Sequence, residues 1–526
     1  MKYRILVSDP MESIGLDMLR EAGHDVIELG PEDKSKLPEL LGDFDALVVR
    51  SETKVTAELL AKGTRLKVVG RAGIGVDNVD VRAATQQGVL VVNAPTANLV
   101  SATEHTFALL LALARNVAQA DRDLKDGKWS RKKFVGTELQ GKKLGVIGFG
   151  RIGQQVARRA RAFDMEILAF DPFLDAEQIR RADAQPLTLD ELLAQADVIT
   201  LHVPFTDETK NLLDRDRLAK LQPHALLVNC ARGGVVDELA LLELLEAGKI
   251  GGAALDVFAE EPLKDYRLVQ HPKVVATPHL GAQTAEAQER ISTQTAKMVV
   301  DALSGSLAIS AVNLPFRSSG AAGEPYLHLA EKLGHLAGCL CGEGAIRRVE
   351  VVVASLDASL RDSLQVAALR GVLRRSVGGE KVNYVNAQTI AREREIECRL
   401  ASTTTSDYPN QIAVKVVWEK GTVEVAGSLF HGGDERVVML DGYACEFRPK
   451  GHAIIVRNHD VPGVVGRLGT LLGDARVNIA EIHLARRQSE NRALAVIRLD
   501  EPLSQALLEA VRSTPEIVSA DPVDFG

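Results

Sequence analysis

The chain has little cysteine, few aromatic rings and no long apolar run. Five cysteines in 526 residues cannot supply the disulfide framework that staples small secreted folds. Cys339 and Cys341 stand too close together for a C-x-x-C pair and no histidine cluster accompanies them, so reduced structural thiols are expected and no metal site. The longest unbroken apolar stretch, Phe107 to Ala114, has eight residues, where a membrane-spanning helix needs about 20. The start, MKYRILVSDP, has no signal-peptide core or small-residue cleavage site. These absences predict a cytoplasmic protein with no membrane partner. An excess of positive charge is also missing: 63 Lys and Arg face 71 Asp and Glu, for a net charge of −8. Broad nucleic-acid or anionic-lipid binding is therefore not expected, although a local basic pocket is compatible with that balance.

What is present is ample material for buried cores, with 46% of residues hydrophobic and 25% charged. At about 150 residues per domain, the length suggests three or four domains. Short β-branched runs alternate with helical stretches from the start: RILVS, DVIEL, ALVVR, LKVVGRAG and GVLVVNAP. A second series follows from Lys142: KLGVIGFG, MEILAFD, DVITLHV, ALLVNCARGG, GGAALDVF and KVVATPHLG. Strands alternating with helices imply βαβ units and parallel sheets. Between the two series, Ser101 to about Lys125 reads as one long helix. Ser101 is its expected N-cap and Glu104 completes the capping pattern. Its broad apolar face suggests burial against a partner subunit. The Ser/Gly/Pro-rich stretch SLAISAVNLPFRSSGAAGEP marks a boundary. Beyond it, about 325–450 mixes a helix with β-rich runs. The last block reads β-α-β-β-α-β, a ferredoxin-like order.

The sharpest motif is Gly148-Phe149-Gly150-Arg151-Ile152-Gly153. It follows a strand and opens a helix, the context in which G-x-G-x-x-G signals a dinucleotide. Gly148 permits the tight turn, Gly150 lets a pyrophosphate approach the backbone, and Gly153 lets helix and strand pack closely. The phosphates then meet free N–H groups at a helix N-terminus. Asp171, 18 residues beyond Gly153, can accept from an adenosine ribose diol and would repel a 2′-phosphate. No arginine follows closely, so NAD is favoured over NADP. A flavin, another nucleotide or an unliganded turn are the alternatives.

Three apolar runs of the second series end in residues able to do chemistry: Arg232, then Asp256 and Glu261, then His279. The spacings from Arg232 to Glu261 and on to His279, 29 and 18 residues, match successive βα units. Parallel strands gather such residues at the carboxyl edge, where ligands of open α/β sheets bind. Oxidation of a secondary alcohol needs a base, which histidine provides near neutrality. A carboxylate on its far nitrogen would fix the tautomer, and an Arg fork would clamp a substrate carboxylate. Further cations, Arg50 with Ser51, Arg71 before the Gly73-x-Gly75 loop, and the Lys128, Arg131, Lys132, Lys133 cluster, suit an additional anionic group such as a phosphate. A solvated charged face is the plainer account of that last run.

GFGRIG, VNCARGGVVDE, ALDVFAEEP and TPHLGAQTAEAQ, in this order, resemble the D-2-hydroxyacid dehydrogenases over about residues 1–315. GRAGIGVDNVD, NAPTANLVSATEH and DGKWSRKKFVGTEL resemble the branch that oxidises 3-phospho-D-glycerate on the way to serine. The resemblance implies an α/β protein of two Rossmann-like doubly wound parallel-sheet domains. A discontinuous substrate-binding domain would span 1–98 and 283–315, with an NAD-binding domain at 99–282 inserted in it. It assigns His279 as acid/base, Glu261 as its partner and Arg232 to the substrate. NAD contacts would come from Arg151, Ile152, Asp171, Cys230, Ala231, Arg232, Asp256 and the turn from His279 to Gly281. Phosphate contacts would fall on Arg50, Ser51, Arg71, Gly73 and Arg131. The helix from Ser101 would make a homo-oligomer, dimer or tetramer. Residues 320–450 resemble the α+β intervening domain of the long form, and 451–526 an ACT regulatory domain. There Asn458, Asp460, Gly463 and Asn478 would bind an amino-acid effector, L-serine. Asn458 and Val461 depart from the residues usual at those positions, His or Tyr and Arg. Other 2-hydroxyacid reductases, and an NAD-sensing corepressor or scaffold, are the competing readings.

Overall fold

A computed structural model describes residues 2–306, 311–316, 320, 322–342, 344–404, 406–487 and 490–526. Parts of the Ser/Gly/Pro-rich boundary thus lie outside the described residues. The described strands form four sheets. The first holds Arg4–Val7, Asp25–Glu28, Ala46–Val49, Val68–Arg71 and Leu90–Asn93, with the second strand outermost beside the first. All its pairings are parallel. Fully buried Ala46–Val49 shows why such strands read as continuous apolar runs: helices cover both faces. One of these covers, Ala285–Leu303, returns from far along the chain and buries Ala296, Val299 and Leu303 against Ile5, Val48 and Val68.

The second sheet is also parallel and has seven strands: Lys143–Ile147, Glu166–Phe170, Gln185–Pro186, Val198–Leu201, Leu226–Asn229, Gly252–Leu255 and Val274–Ala276. Its first and fourth strands are neighbours, with later strands running outward on one side and earlier ones on the other. That reversal opens the crevice in which doubly wound sheets bind nucleotides.

Between these sheets the structure departs from the expected single helix. The helix starts at Leu99 with Asn98 as N-cap, so Ser101 lies inside it and is buried. The S-x-x-E pattern is therefore not a cap here: the Ser101 hydroxyl donates to the Gly281 carbonyl at 2.9 Å. The helix also ends at Ala114, because Asn116 takes a left-handed backbone (φ 54°), and a second helix runs from Val117 to Lys125. Ala108, Leu111, Ala112, Val117, Ala120 and Leu124 line an open apolar groove across both.

The third sheet is mixed. Ile346–Ala354 pairs in parallel with Glu397–Thr403, and the other strands pair antiparallel. Helices Glu324–Leu340 and Arg361–Val377 pack together over it. Asn383 reaches back to the first unit, where its side-chain amide donates to the Gly88 carbonyl at 2.7 Å. In the last sheet His452–His459 lies between Ile517–Asp524 and Arg492–Leu499, with Ile479–Arg487 at the edge. With helices Val464–Asp474 and Gln505–Arg512, this is the ferredoxin-like order expected from the sequence.

Candidate active site

The glycine loop sits where the second sheet reverses. Gly148 has φ 89°, and a Cβ there would lie 2.7 Å from the His202 carbonyl oxygen, so glycine alone fits. A Cβ on Gly153 would meet the Gly148 carbonyl oxygen at 2.2 Å, which lets helix Arg151–Arg161 press against the loop. Gly150, at the N-cap of that helix, faces open space. The free amides of its first turn, with Arg151 and Ile152, thus border a cradle of the kind a pyrophosphate occupies. Asp171 is held at the next strand end by the amides of Phe149 and Phe173, both at 2.9 Å. An ionised carboxylate has about four acceptor positions, so two amides leave it able to take a ribose diol. These residues fit NAD.

The strand ends bring the reactive candidates to the same crevice. Asn229 closes its strand and locks the following turn: its oxygen accepts from Ala231 N at 3.0 Å and its amide donates to Arg232 O at 2.9 Å. The Arg232 guanidinium donates through Nε to Asp77 at 2.8 Å and through a terminal nitrogen to Ala231 O at 2.6 Å. Its other terminal nitrogen faces Gly75, where a Cβ would come within 1.9 Å. Cys230 keeps its proton, since burial, reinforced by the Asp256 charge, pushes its thiol up to about 12.

Asp256 is wholly buried yet ionised. Burial by itself would raise its pKa, but donors from His105, Thr277 and Leu280 bring it below the ordinary value. Its main-chain carbonyl accepts from His279 N at 2.8 Å, holding His279 at a left-handed φ of 56°. His279 Nδ1 then meets Glu261 Oε2 at 2.8 Å, and Glu261 Oε1 accepts from Phe258 N at 3.0 Å. Burial pushes the Glu261 carboxyl up, but the His279 bond and the Phe258 amide outweigh it, so the group sits below its usual range. Because an ionised carboxylate only accepts, Nδ1 carries a proton, which in the neutral imidazole leaves Nε2 as the acceptor.

The cations divide into two groups. Arg71 is pushed down to about 10 by burial, with the charges of Arg232 and Arg50 adding to the effect, so three guanidinium groups share one corner. Its Nε is buried without a hydrogen-bond partner, and a Cβ on Gly73 (φ 151°) would strike its guanidinium. Arg50 hangs on buried Asp9, which accepts from Arg50 N at 2.6 Å and Thr53 N at 3.1 Å, and Ser51 follows it in an exposed bend. Arg131, with Lys132 and Lys133, lies instead in an exposed turn. Among the described residues no hydrogen bond or ion pair joins it to that corner.

In the last unit the polar candidates are already engaged by neighbouring residues. Asp460 accepts from Arg486 at 2.8 Å, Asn478 donates to Asp500 at 2.6 Å, and buried Asn458 donates to the His459 carbonyl at 2.7 Å. Gly463 (φ 94°) opens helix Val464–Asp474. Sequence reasoning missed Asp77, Asp9 and His105, which touch the site from distant parts of the chain. Asp77 and His105 do lie in motifs noted above, and that was the available signal.

Fold and strand-end cluster together define a nicotinamide-dependent dehydrogenase of the D-isomer-specific 2-hydroxyacid class. The family model for the NAD-binding domain of those enzymes matches residues 107–281. The D-3-phosphoglycerate dehydrogenase intervening domain matches 323–441, and the ACT domain 452–516. A D-3-phosphoglycerate dehydrogenase of Bacillus subtilis is 42% identical over 99% of this chain and 100% of its own length. Its counterpart in Methanocaldococcus jannaschii is 40% identical, covering 98% of both chains. Among solved structures, the TT0316 protein of Thermus thermophilus is similar over 59% of this chain and 99% of its own (36% identity, TM-score 0.54). The D-lactate dehydrogenase of Aquifex aeolicus, complexed with NAD and lactic acid, is similar over 58% of this chain and 96% of its own (30% identity, TM-score 0.52). The chain belongs to the D-3-phosphoglycerate dehydrogenase family, and is an NAD-dependent oxidoreductase.

Proposed function

We propose that this protein oxidises 3-phospho-D-glycerate to 3-phosphohydroxypyruvate at the crevice between its two parallel-sheet units. The observation that carries the roles is the His279–Glu261 pair at 2.8 Å, beside Arg232 and the glycine loop. NAD bound there supplies the hydride acceptor. His279 Nε2 takes the hydroxyl proton, and Glu261 stabilises the imidazolium that results. Arg232 turns from Asp77 to the substrate carboxylate and polarises the neighbouring oxygen. Buried Arg71, with Arg50, Ser51 and the Gly73 loop, receives the phosphate, and Arg131 adds charge when its turn comes near. The helix Ala285–Leu303 covering the first sheet supports the reading of a substrate unit of 1–98 and 283–315 around an NAD unit of 99–282.

The apolar groove along the two helices from Leu99 supports a homo-oligomer. Among the described residues no helix is long and apolar enough to cross a membrane, and the five thiols are all free, which supports a cytoplasmic setting. L-serine is the effector proposed for the ACT unit. The test is NADH consumption with 3-phosphohydroxypyruvate against unphosphorylated keto acids. A strong preference for the phosphorylated acid is expected. Equal rates would remove phosphate recognition, and no turnover with intact NADH binding would favour an NAD-sensing role.

A further inference from the structure

We propose that His105 is a positioning residue for this dehydrogenase, holding Asp256 and the turn that carries His279 in their working arrangement. His105 Nε2 lies 3.1 Å from Asp256 Oδ1 and 3.0 Å from Thr277 Oγ1. The Thr277 hydroxyl donates its one proton to Asp256 Oδ1 at 2.6 Å, so towards His105 it can only accept. An ionised Asp256 likewise only accepts. Both contacts therefore require the proton on Nε2, shared between two oxygens, and the tautomer follows from the donors available.

The consequence for Asp256 is an asymmetric carboxylate. Oδ1 takes Thr277 Oγ1, Leu280 N at 2.7 Å and His105, whereas Oδ2 takes only Gly281 N at 2.8 Å. Oδ1 is saturated, while Oδ2, buried with the rest of the carboxylate, holds a single donor among the described residues. Ser101, one turn before His105 on the same helix, grips the carbonyl of Gly281 at 2.9 Å. One helix thus fastens both ends of the segment Thr277–Gly281, in the middle of which His279 is held at an unfavourable left-handed φ. Neither residue needs to touch substrate to matter. They fix where the acid/base and the buried carboxylate stand.

This inference rests on reading the crevice as an NAD site with His279 as acid/base, so its test uses a readout independent of the keto acid. NADH affinity, kcat, thermal stability and the pH dependence of NADH binding are measured for the wild type, His105→Ala and His105→Gln. Glutamine can place an amide N–H where Nε2–H stands. We expect His105→Ala to lose about tenfold or more in kcat/KM, the scale of one hydrogen bond to a buried charge. NADH affinity should fall with it, and His105→Gln should recover most of both. The titratable groups coupled to Asp256 are His105, Cys230 and Glu261, and His279 meets it through its backbone amide. Loss of one donor leaves the Asp256 anion less favoured, so the acid limb of NADH binding should move to higher pH in the alanine variant and return in the glutamine one. His105→Ala within twofold of wild type in kcat and NADH affinity would overturn the proposal. So would a loss that glutamine does not recover, with lowered thermal stability and an unmoved acid limb, since that marks a structural role. A wild type that binds no NADH would overturn the reading of the crevice itself.

Discussion

The NAD crevice and the ligand loop of the last unit are built from similar residues in opposite states. In the crevice, Arg232 and His279 are each fixed on one side by a neighbour and open on the other, since Asp77 takes one edge of Arg232 and Glu261 takes only Nδ1 of His279, while buried Asp256 anchors the turn behind them. In the last unit, Asp460 is taken by Arg486, Asn478 by Asp500 and the Asn458 amide N–H by the His459 carbonyl, leaving the buried Asn458 Oδ1 without a partner among the described residues. A catalytic group has to be oriented before substrate arrives, which second partners accomplish without filling its working face. A loop whose polar groups are held by such neighbours must exchange partners to bind. The single chain thus holds a preorganised centre and an unfinished one.

The severest test of this contrast is removal of the proposed acid/base. His279→Ala should lower turnover by about 10²- to 10⁴-fold, the usual worth of a positioned acid/base, with NADH affinity changed little. Stopped-flow NADH oxidation and fluorescence titration separate the two. Normal turnover would take His279 out of its role and the crevice out of the comparison. The next effect should come from Arg71, whose Nε is buried without a partner. Arg71→Met should cost roughly ten- to a hundredfold in kcat/KM for the phosphorylated acid, the worth of charge-assisted hydrogen bonds. Unphosphorylated keto acids should be affected far less. An equal loss on both would place Arg71 in general support of the fold.

Much of the crevice is legible in the sequence because its constraints are local. The glycine at 153 is dictated by a backbone oxygen five residues earlier, and Arg232, Asp256 and His279 each lie shortly after the end of a strand that its apolar run announces. What stayed hidden is contact at long range. His105 meets Asp256 across 151 residues and Arg232 meets Asp77 across 155, distances at which no periodicity carries information. Local signals also misled: Ser101 and Glu104 form a capping pattern, yet burial of Ser101 against Gly281 and a start at Leu99 place it inside the helix. The break at Asn116 has no Gly or Pro to announce it. In the third unit one helix is expected among β-rich runs, and the structure adds a further long one, Arg361–Val377.

Rigidity in the first unit should show as pH-dependent stability. Buried Asp9 ties Lys34, Thr53 and the Arg50 amide. Burial pushes its carboxyl up, but these donors hold it below the ordinary 3.8. A depressed carboxylate contributes stability above its unfolded pKa and loses it as pH falls through the lower folded value. Asp9→Asn should therefore cost about 1.5 kcal/mol near neutrality, and the gap to wild type should close below about pH 4. A gap that persists in acid would mean packing, not charge, is what Asp9 provides.

The smallest expected effect probes the unfinished site. Arg486 is about half exposed, and surface pairs of this kind are worth about 0.2–1 kcal/mol, so Arg486→Ala should leave fold and uninhibited rate unchanged. If Asp460 receives the effector's amine, Arg486 competes for the same carboxylate. Its removal should then lower the serine concentration that half-inhibits by roughly 1.5- to 5-fold. A rise in that concentration would instead make Arg486 the residue that holds Asp460 ready, and the last unit would be preorganised after all. A wild type insensitive to serine would assign the unit to assembly, and the departures at Asn458 and Val461 would then mark where its ligand chemistry was lost.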